Sequence, residues 1–213
     1  MNVRLVEAVR SGNLQQVREI LTPDTNIEDR DDEGTSLLMA ATAASHVGIV
    51  KLLVERGADV NARNKAGMTP LHMSAAVRHL DGLAYLLQRG ADINAVDEEG
   101  NTVLMVAART GFAQGVDLLI KKRAPVNAAN RWGTTALMQA ARVGNINVMK
   151  MLLDAGADPA ATDVLGKRAI TYAKEKGAPP VYMTRLLGGD RQSPGKNAAR
   201  PAGDRPWWRF WEK

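Results

Sequence analysis

The chain has 213 residues and a mass of 23.0 kDa, with 45% hydrophobic residues, 24% charged residues, a formal net charge of +5 and no cysteine. This composition is sufficient for a packed core and excludes a wholly disordered chain, while the lack of cysteine excludes disulfides, thiolate metal sites and cysteine nucleophiles. The longest apolar run, Leu37 to Ala44, is far shorter than the ~18 to 20 residues of a membrane-spanning helix, so the sequence predicts a soluble protein.

A period of 33 residues organises the chain. Each of five regularly spaced glycines precedes an alanine-rich segment, and these glycines are Gly34, Gly67, Gly100, Gly133 and Gly166. Residues 1–33 fit the same pattern, since Leu5 and Ala8 match Leu38 and Ala41 one period later. Such self-similarity is typical of stacked repeats. The sequence therefore predicts six units: 1–33, 34–66, 67–99, 100–132, 133–165 and 166–188.

The unit at residues 67–99 shows how each unit folds. Thr69 before Pro70 predicts a helix N-cap followed by proline at the first helical position. After a break near Arg78, leucines recur at the spacing of a second helix, which Gly90 ends. The segment from Ala91 to Gly100 is left as an exposed turn or hairpin that leads to the next unit.

One segment of this unit, Thr69-Pro70-Leu71-His72-Met73-Ser74, is similar to the Thr-Pro-Leu-His-x-Ala signature of ankyrin repeats. With the 33-residue register, the chain resembles ankyrin-repeat proteins, of a bacterial type, over residues 1–188. The resemblance implies an all-α solenoid of six stacked helix-turn-helix units, in which His72 hydrogen-bonds between turns. Units at the ends of such a stack need a polar outer face. Arg4, Glu7 and Arg18 suit one end, and Pro179-Pro180 and Arg185 mark unit six as the other.

The resemblance also implies a non-catalytic protein-binding module, such as an adaptor, an inhibitor or a chaperone-like accessory. Family members make contacts through the turn tips and the exposed positions of the first helices. Carried onto this sequence, the partner-binding residues are Trp132, Arg131, Arg109, Arg142, Met68 and Leu165.

Trp132 is the most informative of these, because a residue at a turn tip has little core to enter and tryptophan is enriched at binding hot spots. The alternative is that Trp132 lies flat over a neighbouring turn. Arg109 and Arg142 hold equivalent positions in adjacent units and form a short basic ladder that suits an acidic partner segment. The alternative for both is ordinary solvated charge.

Catalytic and metal chemistry find no support in the sequence. His46 and His79 occupy the same repeat position, and no carboxylate or nucleophile accompanies the histidines at the spacing of ligands or of a catalytic group. Asn61, Asn94 and Asn127 also repeat at 33 residues, and we expect them to tie the backbone of the turns. We expect no catalytic residues, metal, cofactor or small-molecule substrate, although an enzyme remains a rival hypothesis.

The chain beyond the repeats changes composition at Gly188. Residues 189–206 predict a flexible linker, and residues 207–213 an aromatic docking segment formed by Trp207, Trp208, Phe210 and Trp211. This segment could enter a pocket of a partner protein, pack back on its own solenoid, or lie at a membrane interface with Arg209 and Lys213 near anionic lipid. The last option defines the alternative function, a membrane-peripheral scaffold.

The net charge is shared between these parts. Residues 188–213 carry +3, which leaves +2 on the repeats, so nucleic acid is not an expected partner. We expect a protein partner, a monomer in its absence, and a cytoplasmic location, with the periplasm or export as open alternatives.

Overall fold

The structure is a computed structural model that describes residues 3–176. These residues form an all-α fold, as predicted, with isolated β-bridges in place of strands. The helices are α1 (Val3–Ser11), α2 (Leu14–Ile20), α3 (Leu37–Ala43), α4 (Val47–Glu55), α5 (Pro70–Ala76), α6 (Leu80–Gln88), α7 (Val103–Arg109), α8 (Ala113–Lys121), α9 (Ala136–Val143), α10 (Ile146–Asp154) and α11 (Ala169–Glu175).

The helices begin and end where the repeat pattern predicts. The N-caps of α3, α5, α7 and α9 are Ser36, Thr69, Thr102 and Thr135, and each side chain accepts the backbone N–H three residues later. In the third unit, α5 begins at Pro70, and the predicted break falls at Arg78, whose φ of 58° is left-handed. Helix α6 ends just before Gly90, which has a φ of 88°.

The helices form two parallel layers. The first helix of each unit packs on the first helix of the next, from α1 through α3, α5, α7 and α9 to α11. The second helices α2, α4, α6, α8 and α10 form the other layer in the same order. One continuous apolar core lies between the layers and runs the length of the stack. The predicted solenoid is confirmed, because each unit buries its apolar faces against its neighbours.

The turns between units form a row joined by backbone hydrogen bonds. Four N–H groups, those of Lys65, Glu98, Arg131 and Val164, each donate to a carbonyl of the preceding turn at 2.9 to 3.0 Å. Within a turn, an aspartate or asparagine oxygen accepts backbone N–H groups two and four residues later, as Asp97 does from Glu99 and Asn101. The turn row is therefore a connected ledge along the first-helix layer.

Several predictions concern residues outside the described part of the chain. They are the second helix of unit six at Pro179-Pro180, the cap residue Arg185, the linker 189–206 and the docking segment 207–213. None of the helices within residues 3–176 is long and apolar enough to span a membrane.

Candidate protein-binding groove

A groove of about 1290 Å³ lies between the turn row and the first helices of units four to six, α7, α9 and α11. Its turn wall contains Ala66, Met68, Trp132, Val164 and Leu165, and its helix wall contains Val106, Arg109, Gln139, Arg142, Val143 and Tyr172. Five of the six predicted contact residues, namely Met68, Arg109, Trp132, Arg142 and Leu165, therefore line one groove. Arg131 is not among the lining residues, and its guanidinium lies 4.0 Å from Glu98, with 69% of its side chain exposed.

The turn wall presents apolar side chains on a fixed backbone. Trp132 is 47% exposed, while Val164 and Leu165 are 67% and 73% exposed. The backbone N–H of Trp132 donates to Asn130 Oδ1 at 3.0 Å, and its carbonyl accepts from the N–H of Val164 at 2.9 Å. Large apolar side chains held in this way on an exposed ledge are available for a contact without reordering of the chain.

The helix wall carries the two arginines of the predicted ladder. Arg109 and Arg142 stand near the C-terminal ends of α7 and α9, which pack against each other. Both side chains are exposed, and within the described residues neither forms an ion pair. The Arg142 guanidinium lies over the ring of Tyr172, 5.4 Å from its centre. The helix wall is therefore basic, and its two guanidinium groups can form ion pairs with a ligand.

Tyr172, on α11, lies at the unit-six end of the groove and is held there by a hydrogen bond. Its hydroxyl donates to Asp163 Oδ2, while Asp163 Oδ1 accepts the backbone N–H groups of Leu165 and Lys167, each at 2.9 Å. Burial alone would raise the pKa of Asp163, but these hydrogen bonds outweigh it and hold that pKa below its ordinary value. The same hydrogen bond, with burial, raises the pKa of Tyr172, so the phenol stays protonated as a donor.

Sequence reasoning missed Tyr172. The signal was present, because Tyr172 follows Gln139 by 33 residues and Gln139 follows Val106 by the same interval, and all three line the groove.

An acidic rim lies at the unit-three end of the groove. Asp97, Glu98 and Glu99 belong to its lining and come from the turn at the end of the third unit. Glu99 Oε2 accepts from the Asn101 side chain at 3.0 Å, whereas Glu98 lies beside Arg131 and is exposed. The groove thus combines an apolar ledge with an acidic end and a basic wall.

Two of the three histidines, His72 and His46, make hydrogen bonds within the stack. The ring of His72 accepts the backbone N–H of Thr69 on Nδ1 at 3.2 Å, and its Nε2 lies 3.1 Å from the carbonyl of Asn101 in the next turn. The predicted hydrogen bond between turns is confirmed. Burial lowers the pKa of His72 from its ordinary value of 6.5, which favours the neutral ring that accepts at Nδ1. His46 Nε2 lies 3.1 Å from the carbonyl of Arg10 in the preceding unit.

The prediction for the repeating asparagines is right for two of the three. Asn127 donates to the carbonyl of Gly156 at 2.9 Å and accepts the N–H of Asp158 at 2.8 Å, and Asn61 makes the same bridge to Gly90 and Asp92. For Asn94 the prediction is wrong. The residue that should donate to it is Pro125, which has no N–H.

The stacked helix pairs and the groove define a repeat solenoid of the protein-binding type. The family model described as Ankyrin repeats (3 copies) matches residues 5–97 and again residues 94–163 of the sequence. The matched residues span about three quarters of the sequence, and the chain belongs to the ankyrin-repeat family. The human protein Ankyrin repeat domain-containing protein 29 is 42% identical over 55 residues, which are 25% of this chain and 18% of that protein. Ankyrin repeats are general protein–protein interaction modules, and the family is typically non-catalytic.

Proposed function

We propose that this protein is a non-catalytic binding module that holds an extended segment of a partner protein in the groove. The observation that carries the proposal is the convergence of Met68, Trp132 and Leu165 with Arg109 and Arg142 on the walls of one groove. This set combines an apolar anchor site with two arginines that form no ion pair within residues 3–176, and hot spots of protein interfaces are rich in tryptophan and arginine.

The two walls specify the chemistry of the bound segment. A large apolar or aromatic side chain would pack against Trp132 and Leu165. An aspartate or glutamate a few residues away would reach Arg109 or Arg142, whose planar guanidinium groups bind carboxylates in a bidentate manner. The groove exceeds the ~300 to 1,000 Å³ typical of small-molecule sites, which favours a peptide segment over a small ligand.

A module of this kind acts by occupying or presenting its partner, as an adaptor, an inhibitor or a chaperone-like accessory. The docking segment 207–213 would supply a second contact on the partner. Two tethered contacts raise avidity without a larger single interface, because the second contact forms at a high effective concentration.

A random-peptide phage library selected on the full chain tests the groove. We expect the selected peptides to share an apolar anchor and a nearby acidic residue. Trp132→Ala and Arg142→Ala should each weaken these peptides by about tenfold or more, which corresponds to the loss of about 1.4 kcal/mol at a hot spot.

Lys122→Ala is the matched control for this test. Lys122 is an exposed cation at the end of α8 and does not line the groove, so its removal should leave peptide affinity unchanged. If Trp132→Ala and Arg142→Ala both left affinity at the value for Lys122→Ala, the groove would not be the binding site.

The membrane-peripheral alternative rests on the aromatic and basic residues of the docking segment. Flotation with vesicles that contain anionic lipid compares the full chain with a chain ending at Leu187. Flotation of the full chain only would favour the membrane role, whereas equal flotation of both chains would remove it.

A further inference from the structure

We propose that, when no partner is bound, the docking segment 207–213 of the same chain occupies the groove. The protein would then carry its own competitor, and a partner segment would have to displace it. The occupant is Trp207-Trp208-Arg209-Phe210-Trp211-Glu212-Lys213, and the groove is the one already defined between the turn row and the first helices.

The position at which the described chain ends supports this assignment. Glu175 and Lys176, its last residues, are themselves part of the groove lining. Thirty residues, 177–206, then precede Trp207. Of these, residues 189–206 are the predicted linker, and as a flexible chain its 18 residues would have an r.m.s. span of about 23 Å, which can bring the docking segment back towards the groove.

The chemistry of the segment is complementary to the groove. Its four aromatic side chains match the apolar ledge of Met68, Trp132 and Leu165, where ring contacts with Trp132 add to apolar burial. The polar residues match as well. Arg209 can pair with the acidic rim at Glu98 and Glu99, while Glu212 can pair with Arg109 or Arg142 on the helix wall. A segment whose charges all had one sign would form ion pairs with only the acidic rim or only the arginines of the helix wall.

Tethering favours this occupant over a second copy of the chain. A short linker holds its segment at an effective concentration of about 1 mM, which exceeds the concentration of free chains in ordinary solutions. Displacement by a partner would release the aromatic side chains for the second contact described above. Occupancy of the groove and availability of the docking segment would thus be coupled.

NMR of the full chain tests the proposal without any partner. The methyl signal of Met68 and the indole N–H signal of Trp132 report on the groove, and the methyl signal of Met149, buried in α10 outside the groove, is an internal control. The comparison is between the natural chain and the variant Trp207→Ala/Trp208→Ala/Phe210→Ala/Trp211→Ala. We expect the signals of Met68 and Trp132 to differ between the two chains and that of Met149 to coincide.

Identical Met68 and Trp132 signals in the two chains would overturn the proposal. Differences that disappear on dilution would also overturn it, because they would assign the groove to a second copy. A peptide of residues 207–213 added to the variant should shift the same two signals back towards those of the natural chain. Failure of the phage selection would leave this comparison unaffected, so the two proposals fail separately.

A charge exchange tests the orientation of the segment. Arg209→Glu should reduce the Met68 and Trp132 differences by at least half. Combining it with Glu98→Lys and Glu99→Lys should restore them, since both groups are exposed and the pair is re-formed with reversed sign. No restoration would exclude pairing between Arg209 and this rim.

Discussion

Arg123 shows the cost of a single departure from the repeat. Its φ of 64° is left-handed, and the residues at the same position in other units are Gly57, Gly90 and Gly156. A residue with a Cβ atom pays about 1 to 2 kcal/mol in this conformation. We expect Arg123→Gly to raise the free energy of unfolding by about 0.5 to 1 kcal/mol after the entropy of glycine is subtracted. Urea denaturation measures this change, and Gly90→Ala should lower the same quantity; a destabilised Arg123→Gly would contradict the argument.

His72 makes stability depend on pH. Burial lowers the pKa of His72 in the folded state below 6.5, whereas the unfolded chain retains the ordinary value. As pH falls through 6.5, the unfolded state takes up the proton first. The contribution of His72 to the free energy of unfolding is therefore complete above pH 6.5. It decreases as pH falls towards the folded-state pKa, by at most about 1.4 kcal/mol per pH unit.

The variant His72→Gln isolates this effect. Glutamine can replace histidine in the capping box with Thr69 and does not titrate. We expect the free energy of unfolding of the natural chain to fall more steeply between pH 7 and pH 5 than that of the variant. Equal slopes in urea denaturation at these pH values would show that the pKa of His72 is the same in the folded and unfolded states, which contradicts the argument.

At the scale of elements, the turns are tied together by the asparagine bridges. Asn127→Ala removes two hydrogen bonds to the next unit and should lower the free energy of unfolding by about 1 kcal/mol, since both bonds are exposed. Asn94→Ala is its matched control and should change stability little, because Asn94 makes no bridge to Pro125. Equal losses measured by urea denaturation for the two variants would show that the bridge itself contributes nothing.

The elements follow from the sequence because each depends on local chemistry. Thr69 and Pro70 set the start of α5, and Gly90 sets the end of α6, without reference to the remainder of the chain. The missing bridge at Asn94 could not be predicted from its own position, because the bridge depends on the residue 31 positions later. Repetition predicts equivalent contacts only where both partners repeat.

The groove was predictable in part for the same reason. Register places Met68, Trp132 and Leu165 on one ledge and Arg109 and Arg142 on one wall. Arg131 shares the turn of Trp132 but lies by Glu98 outside the lining, because neighbouring positions of a turn face different directions. The role of Tyr172 depends on two contacts, one with Asp163 in the turn before α11 and one with Arg142, which the stacking of α11 on α9 brings to the ring; only its register with Gln139 and Val106 could be read from the sequence.

At the scale of the whole molecule, residues 3–176 form a one-dimensional stack, and this determines how far a destabilising substitution acts. Each unit is supported by its neighbours, so stability is a sum of unit and interface terms. Leu104, in α7, lies at the middle of the stack, with units on both sides. Ile170, in α11, has only α9 of the described first helices beside it. Both side chains are buried. Truncation to alanine should lower the free energy of unfolding by about 2 to 5 kcal/mol at either site. The helices that lose protection should differ between the two variants.

Hydrogen exchange distinguishes these regions. Ile170→Ala should expose the amides of α11 to exchange and leave those of α3 and α4 protected, whereas Leu104→Ala should lower protection in α5, α7 and α9 together. Uniform loss across all helices with Ile170→Ala would mean that the stack unfolds as a single cooperative unit. Because Tyr172 lies on α11, opening of this helix would also remove the end of the groove. A peptide bound there should therefore restore protection to α11 in the variant, since a ligand that binds only the closed form stabilises it.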